Sequence, residues 1–157
     1  MQITLMTEIT VGDICKGFCY DENKEKEALG FWGQVKLQPD YQRKYIYSDG
    51  KRDEAVIRSL LKGYPLGVFC IGKIFEGEYE VIDGQQRLIS LGRFVTGKFA
   101  IKDINVNPCY FSQLEREEQE RILKTPLIIH MCKGSVEERK ELFQVLNTTS
   151  VLLNGIQ

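Results

Sequence analysis

The chain has 157 residues, 43% of them apolar and 27% charged, which fits one soluble-type globular domain with a modest core. Its net charge of −1 excludes an overall basic footprint for nucleic acid, so any DNA contact must be local or made elsewhere. Five cysteines, at 15, 19, 70, 109 and 132, are an odd number without framework spacing, and no secretory signal precedes them. Reduced thiols in the cytoplasm are expected, and no apolar run approaches the ~20 residues of a membrane span.

In chain order, Thr10 and Asp13 form a capping-box pattern that predicts a short helix over 10–17. Cys15 and Cys19 lie four apart, but with no second cysteine pair and a single histidine, His130, they read as ordinary thiols. Asp21 to Glu27 reads as a charged loop or frayed helix. Val35 and Leu37 alternate with polar neighbours as a strand, which Pro39 ends. The segment Asp40-Tyr41-Gln42-Arg43-Lys44-Tyr45 is either a second wall for an anionic ligand or a solvated basic turn over two aromatics. Taken alone, the second is the better reading.

Tyr47 to Gly50 is turn chemistry. Val56, Ile57, Leu60 and Leu61 make a helical stripe over 51–62, with Gly63 as C-cap and Pro65 preventing continuation. Val68 to Ile74 is a buried strand. Glu76-Gly77-Glu78 turns it into a hairpin with Tyr79 to Ile82.

The chain is organised around the stretch Tyr79-Glu-Val-Ile-Asp-Gly-Gln-Gln-Arg-Leu. Period-2 alternation breaks at Asp83-Gly84, and Leu88, Leu91, Gly92 and Val95 resume at helical spacing. A helix start offers unpaired N–H groups and about half a positive charge. Gly84 lets an anion approach the backbone. Gln85, Gln86 and Arg87 add donors, and Asp83 can orient Arg87 or hold a hydrated metal ion. The bland alternative is a plain strand-to-helix corner, but capping alone needs neither two glutamines nor an arginine.

Beyond it, Gly97 ends the helix, and Phe99 to Val106 is expected to hold a short strand broken by Pro108. Ser112 with Glu115 predicts a charged, solvated helix to about Lys124. Leu127 to Cys132 reads as a strand in which His130 is structural. Ser135 with Glu138 opens a last helix, closed by Asn147-Thr148-Thr149. Strands and helices alternate irregularly around one hairpin. That predicts an α+β fold, a small mixed β-sheet with surrounding helices, rather than a doubly wound one. The Walker and GxGxxG patterns are absent.

Four stretches carry a family resemblance: Gln38 to Arg43, Ser59 to Gly67, Val81 to Leu88 and Phe143 to Thr148. Together they resemble the ParB/sulfiredoxin-like N-terminal domain of GmrSD-type restriction proteins, the family marked by a DGQQR motif. The likeness runs from about Leu37 to Asn154. It implies a single ParB/sulfiredoxin-like domain over 1–157, expected to be an N-terminal fragment of a longer protein. It implies that Gly84, Gln85, Gln86 and Arg87 cradle nucleotide phosphates, faced by Gln42 and Arg43. Asp83 and Arg87 are then the candidates for nucleoside triphosphate hydrolysis, with Mg²⁺ at Asp83. Such a domain regulates DNA cleavage by a C-terminal or separate HNH-type nuclease domain in antiphage defence. No HNH pattern is present here, so nuclease activity is not expected of this chain, and DNA contact is expected through the full-length protein. The alternative is a DNA-reading module in which Trp32, Tyr41 and Tyr45 sense a modified base without nucleotide turnover. A third is a structural domain that docks a nuclease. No membrane contact is expected, and the oligomeric state is open, a homodimer being one option.

Overall fold

The computed structural model describes residues 1–20, 28–30, 35–36 and 51–156. Its frame is a seven-stranded mixed sheet with helices on both faces, so the fold is α+β as the pattern predicts. The sheet strands are β1 (Gln2–Met6), β2 (Cys19–Tyr20), β3 (Ala28–Gly30), β4 (Val35–Lys36), β5 (Val68–Phe75), β6 (Glu78–Asp83) and, late in the chain, Ile128–Lys133. A separate two-stranded ribbon pairs β7 (Ile101–Lys102) with β8 (Pro108–Cys109), so the late sheet strand is β9. The order across the main sheet is β1-β9-β5-β6-β4-β3-β2. The β5–β6 hairpin is antiparallel, whereas β5–β9 and β4–β6 are parallel. Parallel neighbours need long crossovers, and the helices supply them.

Helix α1 (Val11–Cys15) starts on the expected capping box: the Thr10 side chain accepts from Asp13 N–H, and the Asp13 carboxylate accepts from Thr10 N–H. Helix α2 (Lys51–Leu61) buries Ile57 and Leu60 of its apolar stripe. It ends where Tyr64 N–H reaches back to Ser59 C=O across left-handed Gly63. Helix α3 (Gln85–Val95) lies at the centre, with Leu88, Ile89, Leu91 and Phe94 all buried. Gly92 takes the ring of Phe18 so closely that a Cβ there would lie 2.2 Å from it. Helix α4 (Arg116–Leu123) is charged and buries only Ile122. Helix α5 (Val136–Ile156) starts on the expected Ser135–Glu138 box.

Alternation along the strands divides the core. Phe69, Ile71, Val81 and Ile129 pack with α1, α2 and α3 in the main cluster. Cys70, Ile82 and Cys132 point to the other face, where Leu142, Phe143 and Leu146 of α5 cover them. The Cys70 and Cys132 sulfurs are 3.2 Å apart there as free thiols. A buried ion pair locks α5 down. Arg139 Nε donates to Glu80 at 2.8 Å, Arg139 also donates to Gly134 C=O at 2.7 Å, and both side chains are under a tenth exposed.

Three local expectations change. Pro108 does not break a strand but begins β8, a position where a missing N–H costs little. The box at Ser112 is replaced by a 3₁₀ turn over Phe111–Gln113, with Gln113 accepting from Tyr110 N–H and Glu115 serving as N-cap of α4. The last helix does not close at Asn147 but continues to Ile156, since neither glycine nor proline interrupts it before Gly155. The expected loops over 21–27 and 40–45 and the turn over 47–50 lie outside the described residues.

Candidate functional site

The corner forms as its sequence predicts. Strand β6 ends at Asp83, Gly84 takes φ +98°, and α3 begins at Gln85. Gly84 is an N-cap without a side chain, so no side-chain bond caps the helix. A second requirement for glycine stands beside the expected one. A Cβ at Gly84 would sit 2.4 Å from the ring of Phe69 and 3.0 Å from Arg87 Nη2. The space a side chain would take holds the ring of Phe69, which is fully buried.

Arg87 folds back from α3 onto the chain before β5. Its Nη1 donates to Leu66 C=O, its Nη2 donates to Val68 C=O at 3.0 Å, and its guanidinium carbon lies 4.3 Å from the Phe69 ring centre. Left-handed Gly67 (φ +83°) turns both carbonyls toward the guanidinium, and a Cβ there would lie 2.9 Å from Nη1. Neutral carbonyls orient the cation without cancelling its charge. Asp83 is 3.7 Å from Nη2 and about half exposed, a weak partner.

The bracket places Arg87 on the wall of an open cavity of about 260 Å³ lined by Arg52, Ala55, Val56, Ser59, Pro65 and Leu66. Thus the cation of the motif meets a second one, Arg52, which the motif does not contain. Arg52, Ala55, Val56 and Ser59 fall at i, i+3, i+4 and i+7, one face of α2. The face had a sequence signal, because small Ala55 and Ser59 next to Arg52 leave a hollow rather than a ridge. Reading α2 only for its apolar stripe misses it. Gln85 is buried and Gln86 half-buried at the start of α3; neither lines the cavity. Gln42 and Arg43, expected to face the motif, and Trp32, Tyr41 and Tyr45 of the alternative reading lie outside the described residues.

Asp53 fixes this face. It is 1% exposed, accepts from Ser90 Oγ at 2.6 Å and from Arg93 Nη1 at 3.2 Å, and so ties the first turn of α2 to α3. Arg93 in turn lies against the rings of Tyr20 and Phe99. Burial raises the Asp53 carboxyl above its ordinary range, opposed by the Ser90 hydrogen bond and the Arg93 charge. A carboxyl with a raised folded-state value binds its proton more tightly folded than unfolded. Its contribution to stability is complete below the unfolded value and is lost as pH rises through the folded one. The stability of the wild type relative to Asp53→Asn should therefore decline as pH rises from the unfolded value near ~3.9 through the raised folded one. Urea unfolding of both proteins across that window checks it, and a difference that rises instead would refute the assignment.

His130 is exposed in β9. Cys15 is a buried thiol whose pKa desolvation pushes up to about 12, and Cys19 is exposed. Among the described residues no cluster of three or more His, Cys, Asp or Glu could hold a metal ion by itself. No helix among them is long and apolar enough to cross a membrane.

The model of the family described as GmrSD restriction endonuclease, N-terminal domain, matches residues 21–156. No curated protein and no solved structure matches.

Proposed function

The chain belongs to the GmrSD restriction endonuclease N-terminal domain family, and on that premise we propose that it binds a nucleoside triphosphate in the cavity between α2 and Arg87. Family membership gives it a role in restriction, and hence in defence against phage. The observation that carries the nucleotide reading is that Arg52 and Arg87 line one cavity together with apolar residues. Two guanidiniums suit a polyphosphate, Ser59 adds a hydroxyl, and Ala55, Val56, Pro65 and Leu66 offer a surface for a sugar or base.

Mg²⁺ usually binds through one or two carboxylates together with substrate phosphates, so Asp83, half exposed beside Arg87, fits it without a protein cage. When bound, the ion would neutralise charge on the phosphates. Arg87 would hold those phosphates in one place, because its own position is fixed by Leu66 and Val68. Hydrolysis, with Asp83 positioning water, is part of the proposal. Phosphoryl transfer needs positioned donors more than a covalent nucleophile. In the full-length protein, the nucleotide state of this domain would govern cleavage of DNA by an HNH-type nuclease domain.

Arg52 is the residue to test: it is exposed at the cavity, and replacing Arg87 would also release the Leu66 and Val68 carbonyls. Arg52→Ala should weaken triphosphate binding in the presence of Mg²⁺ by about 1.5–3 kcal/mol, roughly ten- to hundredfold, as for a lost hydrogen bond to a charged group. Isothermal titration with each triphosphate reads this directly. Equal affinity in the variant, or no binding of any triphosphate by the wild type, rules the proposal out.

A further inference from the structure

Strand β1 is an edge. Among the described residues it pairs with β9 alone, in antiparallel register from Gln2 opposite Lys133 to Met6 opposite Ile129. Among the described residues no strand pairs with its other side, which leaves a ladder of N–H and C=O groups there, and Gln2 to Leu5 are all exposed. Natural sheets protect such edges with charge, proline, a bulge or brevity. The opposite edge, β2, is two residues long. By contrast β1 has five residues, Gln-Ile-Thr-Leu-Met, with no charge, no proline and a continuous register to β9. It also carries apolar surface where polar residues are expected: Ile3 is 53% and Leu5 60% exposed, both on one face of the sheet.

We infer that β1 joins a second copy of this chain, strand to strand and antiparallel, about a twofold axis through Thr4. The sequence of β1 fits its own copy. A dyad perpendicular to the sheet keeps each face on its own side, so only registers that pair residues of like face are allowed. Centring on Thr4 pairs all five residues: Ile3 opposite the copy's Leu5, Thr4 opposite Thr4, and Gln2 opposite Met6. Centring on Ile3 or Leu5 pairs only three. In the Thr4 register the four aliphatic side chains, two Ile3 and two Leu5, meet in one cluster astride the axis. Cross-strand neighbours of this kind approach to about 5 Å between Cβ atoms. Because β1 is neutral, the pairing sets no like charges against each other. The charge next to it in sequence is the Met1 amine, which Glu138 of α5 already holds at 2.8 Å. The two seven-stranded sheets become one, and the cavity between α2 and Arg87 lies away from the seam, past β9 and β5.

Sedimentation velocity on the untagged 157-residue chain tests this, with circular dichroism confirming that each variant is folded. The wild type should show a concentration-dependent species of twice the 18.1 kDa chain mass. Ile3→Lys with Leu5→Lys places ammonium groups opposite each other at both sites and should sediment as monomer. Ile3→Glu with Leu5→Lys places a carboxylate opposite an ammonium at both sites and should restore the dimer. Both pairs of changes fall on exposed side chains, so the fold is expected to survive them. A wild type that stays monomeric up to its solubility limit overturns the inference. So does a dimer that survives the double-lysine change, or one that the charge-paired variant fails to rebuild.

Discussion

Gly84→Ala is expected to destabilise the domain by about 2–5 kcal/mol. The first part is the left-handed backbone: φ is +98°, and an L-residue there costs about 1–2 kcal/mol. The second part is overpacking, about 1–3 kcal/mol, because the new methyl would sit 2.4 Å from a Phe69 ring that has no room to retreat. The consequence reaches the site. Phe69 is the ring on which the Arg87 guanidinium rests, so moving it loosens the bracket to Leu66 and Val68. Thermal melting should show the loss without any ligand present. This separates two readings of the same glycine. If it served only to let an anion approach, the loss would stop at the backbone cost of about 1–2 kcal/mol, with nucleotide binding lost besides. The contacts of Phe69 predict that stability falls further.

Glu80→Ala should cost about 3–5 kcal/mol, since it leaves the Arg139 guanidinium buried without its carboxylate. For a chain of this length each kcal/mol moves the melting temperature by about 2–4 °C, so a drop of very roughly 6–20 °C is expected. Arg139 lies over Gly72, where a Cβ would approach its Cδ to 2.6 Å, so its stem is packed closely on the sheet. Replacing both partners by apolar residues, Glu80→Leu with Arg139→Met, should recover most of the loss, because no buried charge then remains. Calorimetric melts of the wild type and both variants decide it. A double variant as unstable as the single one would mean that the pair contributes more than the absence of an orphaned charge.

The two sites differ in how far they could be foreseen. The strand, Gly turn and helix start at 79–93 were legible because each is a property of near neighbours: alternation, a residue without Cβ, apolar spacing of three and four. The same holds for the boxes at Thr10–Asp13 and Ser135–Glu138 and for the hairpin turn at Glu76-Gly77. The box at Ser112 failed although its pattern was correct. Tyr110 and Gln113 made a competing cap two residues earlier, and adjacent caps cannot both start a helix.

From the sequence alone came the α+β class, the central hairpin, the strand-glycine-helix corner and, through four stretches spread along the chain, the family. Those features rest on interactions within a few residues along the chain. Only the tertiary structure decided why Gly84 must be glycine, where Arg87 points, that Arg52 lines the same cavity, and which carboxylate faces Arg139. Each answer joins residues 15 to 59 positions apart, such as Phe69 to Gly84 or Glu80 to Arg139. Such distances are closed by the packing of α2, α3 and α5 on the sheet, and local periodicity carries no information about which side chain will occupy a given space once they close.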